Sequence, residues 1–427
     1  MSGQEFSTSP TPIHLDGTTL EGGGQLLRLA LSLSSLTQIP IQVTDIRGKR
    51  PGKVSGLKAS HLAGVKWLAN ATAATTEGME VKSRQLVFRP SSIEAETKIA
   101  RGQNEHVATK EEEMEGVWED IFDDGQMIRR QSRIPMSSPG SILLVLQAIL
   151  PYLLFSNCSH IEGQNTLVPL RVTIEGGTNV SSSPSIEYIS QVLLPILSQK
   201  LSIPPIIANL HKRGWSTGTI EIGSVTFDIE PLPHAYVLPT FSFRDRGELA
   251  KVHVSILAPE ATARSCIRDK VTAQLLAYNP DIEILFPVDE KSGSEKRLYL
   301  LLVAETSNGY RIGRDWLFDE KTRGLSTEKL CEKLASKVMK DLKKEMRHGG
   351  CVDEYMQDQL VVFQALAGGK AEVDCGIDRE ATLHTKTARW VAERVLGAGF
   401  DEVGRCQGLG YAVGEDFQKR RGIPLES

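Results

Sequence analysis

The sequence predicts an α+β protein with helices packed on one face of several sheets, and three patterns carry that prediction. Four stretches repeat one order of small or polar opening, apolar helix and β-branched strand, which suggests a recurring βα unit. Segments such as "GTIEIGSVTFDI" alternate with a period of two, as a half-buried strand does. In "STEKLCEKLASKVMKDLKKEMRHGG", Leu330, Leu334, Val338 and Leu342 make a helical stripe that Gly349 ends.

Taken in order, the first unit runs from "DGTTLEGGGQLLRLALSLSSL" into "IPIQVTDIR", and a further helix follows in "SGLKASHLAGVKWLANA". From Ile93 to Gln126 the chain turns polar and acidic, with "EEEMEGVWEDIFDDG", and reads as an inserted surface loop. The second unit is "SSPGSILLVLQAILPYLLF" with "LRVTIEGGTN", and the third is "SSSPSIEYISQVLLPILSQKL" with "IPPIIANLHKRG". Between Thr240 and Asp319, "AKVHVSILAPEATARSCIRDKVTAQLLAY", "DIEILF" and "KRLYLLLVAET" read as strand, helix, strand, strand, a small α/β domain of its own. The fourth unit, "CVDEYMQDQLVVFQALAGG" into "AEVDCG", lies beyond it. The expected division is therefore 1–239, 240–319 and 320–427.

Composition narrows the function classes. Lys and Arg number 49 against 53 Asp and Glu, a net charge of −4, so the whole-molecule field advertises neither nucleic acid nor a membrane. Any polyanion site must be a local patch. The six cysteines are scattered without a Cys-x-x-Cys pair, which argues against a disulfide framework and a zinc ribbon. The polar opening "MSGQEFSTSPTPIHLDG" lacks the layout of a signal peptide, so secretion is not expected. "SILLVLQAILPYLLF" is shorter than the roughly 20 residues a membrane span needs, and it contains Gln147 and Pro151, so a buried core helix is expected there.

Several residues could carry chemistry. The glycines of "EGGGQLLRLALSL" precede a helix whose unpaired N–H groups favour an anion, yet neither a P-loop nor a dinucleotide fingerprint is present, and a plain tight turn reads equally well. Arg28 follows on that helix, and "DIRGKRPGKVSGLK" adds Arg47 and Arg50 among lysines, which makes either a phosphate clamp or a solvated basic loop. Glu21 would repel such a phosphate unless a divalent metal lay between them, or else it caps the helix. His384, in "TLHTKTARW", stands at a helix N-terminus, where the positive end favours a neutral ring able to attack phosphorus; capping and packing are the alternative roles. Tyr355, Asp358 and Gln359 fall at i, i+3 and i+4 and share a face that suits a base or ribose, or a solvent rim. Gln147, alone in an apolar helix, requires a backbone or ligand partner, and the loop "EGGTNVSSSPSIEY" could line the same pocket.

Together these blocks, with "IRGKRPG", "LQAILP" and "RHGGCVDEYMQDQLVVFQALA", resemble the RNA 3'-terminal phosphate cyclase family in order over nearly the whole chain. The resemblance implies four βα units, three before and one after the small inserted domain, forming a catalytic core. It implies a nuclear, ligase-type enzyme that uses ATP and a divalent metal, magnesium or manganese, to convert RNA 3'-phosphate ends to 2',3'-cyclic phosphates. By position, His384 matches the adenylated nucleophile, and Gln147, Pro184, Tyr355, Asp358 and Gln359 match residues around the nucleotide. Arg28, Arg47 and Arg50 match the phosphate-binding arginines, and Glu21 the metal-linked acid. The chain departs from the family in its longer arginine loop and in Ser60, where a glutamine is usual before His61. A sister branch without the histidine serves ribosome assembly as a binding factor, which is the alternative reading. An enolpyruvyl transferase, also built of repeated βα units, would leave His384 unexplained.

Overall fold

The structure is a computed structural model that describes residues 11–49, 55–91, 117–124, 126–157, 167–320 and 324–420. It is an α+β fold whose sheets mix parallel and antiparallel pairs. Strands β1 (Ile13–Asp16), β2 (Ile41–Thr44), β3 (Thr75–Glu77) and β4 (Leu86–Arg89) lie in the order β1-β2-β4-β3. Helix α1 (Gly24–Thr37) joins the parallel pair β1 and β2, in which Ile13 faces Ile41. Helix α2 (Ala59–Ala71) follows.

A second sheet takes β5 (Glu119–Asp123), β6 (Gln126–Ile134), β7 (Leu170–Gly176), β8 (Ile207–Lys212) and β9 (Gly223–Ile229) in the order β5-β6-β7-β9-β8. Helix α3 (Ile142–Phe155) joins the parallel strands β6 and β7. After β7, helix α4 (Ile186–Tyr188) runs through a π-helical turn (Ile189–Leu193) into α5 (Leu194–Leu201). Two local expectations change here. The end of the acidic stretch is not loop but the edge strand β5, because residues 119–123 pair with β6 in a hairpin and Asp120 meets Arg130 at 2.7 Å across it. The strand expected through "GTIEIGSVTFDI" begins only at Gly223, where a Cβ would lie 2.4 Å from the Gly214 nitrogen, so the two backbones touch.

The short strand β10 (Ser242–Phe243) precedes a third layer, in which β11 (Leu249–Ala258), α6 (Ala261–Tyr278), β12 (Glu283–Lys291), β13 (Tyr299–Thr306) and β14 (Arg311–Leu317) form a sheet ordered β12-β11-β13-β14. Helix α7 (Thr327–His348) packs with α6 on one face of it, burying Val254, Ile256, Leu302, Ile267, Leu334, Val338 and Leu342 in a core of their own. Gly349 ends α7 in the left-handed conformation, as its sequence position foretold. The other face of that sheet, through Leu257, Tyr299 and Leu301, joins the main core.

The chain closes with α8 (Glu354–Leu366), β15 (Lys370–Val373), α9 (Leu383–Leu396) and β16 (Cys406–Gln407). Helix α1 is the hub, packed against α2, α3 and α9, and all its residues are buried. Complete burial explains why its sequence is apolar with small residues rather than striped. Helix α3 is likewise buried along most of its length, and among the described residues no helix is long and apolar enough to cross a membrane.

Candidate active site

The site starts at the glycine turn. Gly22 has φ of +59°, and a Cβ there would stand 2.0 Å from the Gly17 carbonyl oxygen, so only glycine fits. Helix α1 begins at the N-cap Gly23 without a side-chain cap; Glu21 instead folds back, its Oε2 accepting the Gly23 N–H at 2.7 Å. The basic loop is tied to the same turn, because Arg47 donates its backbone N–H to the Gly22 oxygen at 2.8 Å. Its guanidinium is buried, and Nη1 has no hydrogen-bond partner among the described residues. Burial also draws its pKa down. An orphaned, desolvated guanidinium of this kind fits an anion.

One turn into α1, Gln25 and Arg28 share a face. Arg28 donates from Nη2 to Gln25 Oε1 at 2.8 Å and from Nε to Gln147 Oε1 on α3 at 2.7 Å. Gln147 Nε2 then reaches Asp358 Oδ2 on α8 at 3.4 Å, and Gln359 Nε2 donates to that oxygen at 3.2 Å. The lone amide of α3 thus bonds to side chains of two other helices rather than to backbone. Burial pushes the Arg28 guanidinium down to about 10 against the pull of Asp358. Burial also holds the Asp358 carboxyl above the usual carboxylate range, opposed by His384 and Arg28.

Tyr355 is set by the helix start beneath it. Asp353, the N-cap of α8, is fully buried and accepts from the N–H groups of Tyr355 and Met356, both at 3.0 Å, from Tyr188 Oη at 2.7 Å and from the Gly313 N–H at 2.8 Å. Arg314 lies over the Tyr355 ring at 4.4 Å and Tyr188 meets it edge-on at 5.9 Å. His384 is the second residue of α9, whose N-cap Thr382 accepts the Thr385 N–H at 3.1 Å. That helix docks on the glycine turn through Thr387, whose Oγ1 accepts the Glu21 N–H at 3.1 Å. Ala388, Val391 and Val395 face inward, fully buried.

These elements surround one cleft of about 880 Å³. Glu21, Arg28 and Arg47 line it from the α1 side, Gln147 and Pro184 from α3 and the serine-rich loop, and Tyr355, Asp358, Gln359 and His384 from α8 and α9. Arg50, the remaining expected site residue, lies outside the described residues. Among the described residues no group of three or more His, Cys, Asp or Glu is placed to hold a metal. Glu21 is one carboxylate of the cleft, and an ion of the magnesium type takes one or two carboxylates and completes its shell with phosphate oxygens and water.

The sequence reading passed over other lining residues. Gln25 and His61 flank Arg28: a Cβ on Gly24 would lie 2.5 Å from Arg28 Nη1 and 2.9 Å from His61 Nε2. Gln25 was findable, since it shares the Arg28 face by spacing. Asp315 and Trp316 enter from β14, placed by its pairing with β13, and Lys337 enters from α7.

Residues 19–401 match the family described as RNA 3'-terminal phosphate cyclase. The chain belongs to that family. A protein of that name from Nitrosospira multiformis is 30% identical over 392 residues, covering 90% of this chain and 92% of its own. Its namesake in Drosophila melanogaster is 29% identical over 423 residues, covering 93% and 97%. Another, from Pyrococcus abyssi, is 29% identical over 396 residues, covering 92% and 96%. With relatives of this name in bacteria, archaea and an insect, the chain is an enzyme of the cyclase family.

Proposed function

We propose that this protein uses ATP to convert an RNA 3'-phosphate end into a 2',3'-cyclic phosphate, through an adenylated His384. The observation that carries the reading is the convergence of Glu21, Arg28, Arg47, Gln147, Pro184, Tyr355, Asp358, Gln359 and His384 on one cleft from the α1 side, α3, the serine-rich loop, α8 and α9. The fold reading that goes with it is four βα units, three before and one after an inserted small domain.

In this proposal the base lies between Tyr355 and Pro184, and Asp358 with Gln359 and Gln147 holds the nucleoside. His384 attacks the α-phosphorus and pyrophosphate leaves, with Arg28, Arg47 and Arg50 offsetting the charge on phosphate. A metal bound at Glu21 would supply further charge neutralisation there. An oxygen of the RNA 3'-phosphate then displaces the histidine, giving an adenylated RNA end. The neighbouring 2'-hydroxyl attacks the activated phosphorus and AMP leaves, a step that needs mainly proximity because both groups share one ribose.

The test is to mix the protein with α-labelled ATP and a divalent metal. Acid-labile label on the wild type and none on His384→Ala supports the reading; equal label on both overturns it. A binding factor in ribosome assembly is not favoured, because it gives His384 beside Asp358 no task; absent label together with specific capture of pre-ribosomal RNA would establish it instead.

A further inference from the structure

We propose that Asp315 reads the edge of the nucleobase and selects a 6-aminopurine over a 6-oxopurine. The inference rests on the reading of the cleft as a nucleoside triphosphate site.

Tyr355 and Pro184 are the two walls assigned to the base, and Asp315 is tied to both. Tyr299, its neighbour on β13, donates from Oη to Asp315 Oδ2 at 3.0 Å. The same hydroxyl is hydrogen-bonded to Ser185, the residue after Pro184. On the other side Asp315 stands close enough to Tyr355 for its charge to help raise that phenol, after the larger effect of burial. Asp315, Tyr299 and Ser185 all line the cleft, so the carboxylate closes the end of the slot between the walls.

Direction along α8 says which part of the ligand it meets. Asp358 and Gln359 lie about one turn, roughly 5 Å, beyond Tyr355, on the side of Arg28 and His384. The phosphates belong there, and Asp315 stands at the opposite end, against the base. Its Oδ2 is taken by Tyr299, while Oδ1 accepts no hydrogen bond among the described residues. One uncommitted carboxylate oxygen is an acceptor for an exocyclic amine. A 6-amino group donates to it, whereas a 6-oxo group turns lone pairs against it and loses the bond.

The charge state of Asp315 gives the proposal its own signature. Burial lifts the carboxyl to about 6, Tyr299 and Arg314 pulling it down and Glu187 and Asp353 pushing it up. Above that value the oxygen only accepts. Below it the acid carries a proton that a 6-oxo group can receive, so discrimination fades as pH falls through about 6.

The experiment is equilibrium titration of ATP and of its 6-oxo analogue, inosine triphosphate, into the wild type and Asp315→Asn at about pH 8 and about pH 5. The wild type binds ATP tighter by about tenfold to a hundredfold at the higher pH, the scale of one hydrogen bond to a charged group, and the gap closes at the lower. In Asp315→Asn, whose amide both donates and accepts, the gap is small at both. Equal wild-type affinities at the higher pH, or an unchanged gap in the variant, overturn the proposal. The wild-type comparison at two pH values decides the matter even if the variant fails to fold. His384 labelling run in parallel separates the two readings: label without base discrimination removes the role of Asp315 and keeps the function, and discrimination without label does the reverse.

Discussion

Arg28 and Gln147 meet across the packed helices α1 and α3, guanidinium Nε donating to amide Oε1 at 2.7 Å. Among the described residues the hydrogen-bond partners of Arg28 are thus amides, Gln147 and Gln25, while the Asp358 carboxylate is bonded to Gln147. An arginine held by neutral acceptors is oriented without being neutralised, which leaves its charge for a phosphate.

Replacing Gln147 tests that arrangement. Gln147→Leu strands the Arg28 Nε in a buried site and lowers stability by about 1–3 kcal/mol, read by urea denaturation. Gln147→Glu keeps the bond to Arg28 but offsets its charge and sets a second carboxylate against Asp358, so ATP affinity falls about tenfold or more. Wild-type ATP affinity in Gln147→Glu would rule out Arg28 as a phosphate ligand.

The two glycines of the turn should fail differently. Gly22→Ala forces a side chain into a left-handed position and onto the Gly17 carbonyl, costing about 2 kcal/mol or more and lowering the melting temperature. Gly24→Ala meets only the movable ends of Arg28 and His61, so the fold survives and adenylylation slows by about tenfold. Calorimetric melting beside a labelling rate separates the two outcomes.

Asp353 is a structural test of the Tyr355 wall. Its carboxylate accepts four hydrogen bonds while wholly buried, so Asp353→Ala takes the acceptor from Tyr188 Oη and from the N–H groups of Tyr355 and Gly313, while the Met356 N–H keeps the Asp353 carbonyl at 3.2 Å. A loss of about 3 kcal/mol or more is expected in denaturant melts, with Asp353→Asn losing less because one acceptor oxygen remains. An Asp353→Ala protein of wild-type stability would contradict this network.

Asp358 links pH to stability. Burial raises its folded-state proton affinity above that of the unfolded chain, so its contribution to stability falls as pH rises through that interval and stays lower above it. Asp358→Asn removes the penalty: the variant melts a few degrees above wild type in mildly alkaline buffer, and the advantage disappears in acid. Its affinity for ATP drops at the same time. A variant that melts below wild type at alkaline pH would mean that Arg28 and His384 outweigh burial.

Much of the frame was legible in the chain. The alternation of βα patterns implied the α+β class, the Leu334, Val338 and Leu342 spacing set α7 in register, and Gly349 marked its end. The edge strand at Glu119–Asp123 was hidden because its acidic side chains fall where pairing with β6 offsets them, and pairing is not a property of the strand alone. Strand β14 was missed for a related reason: "RIGRDWL" alternates poorly, and its place comes from the register with β13.

The sequence by itself determined the family, the glycine turn and most of the helices and strands, and it pointed to the residues on which an ATP site is proposed to draw. Spacing settles such matters because local backbone periodicity needs no distant partner. Only the tertiary structure decided that Arg28 rests on amides, that Arg47 is buried with an unpaired nitrogen, that Thr387 docks the His384 helix on Glu21, and that Asp315 joins the cleft. Those contacts link residues more than a hundred positions apart, or depend on how completely water is removed, and packing alone fixes both.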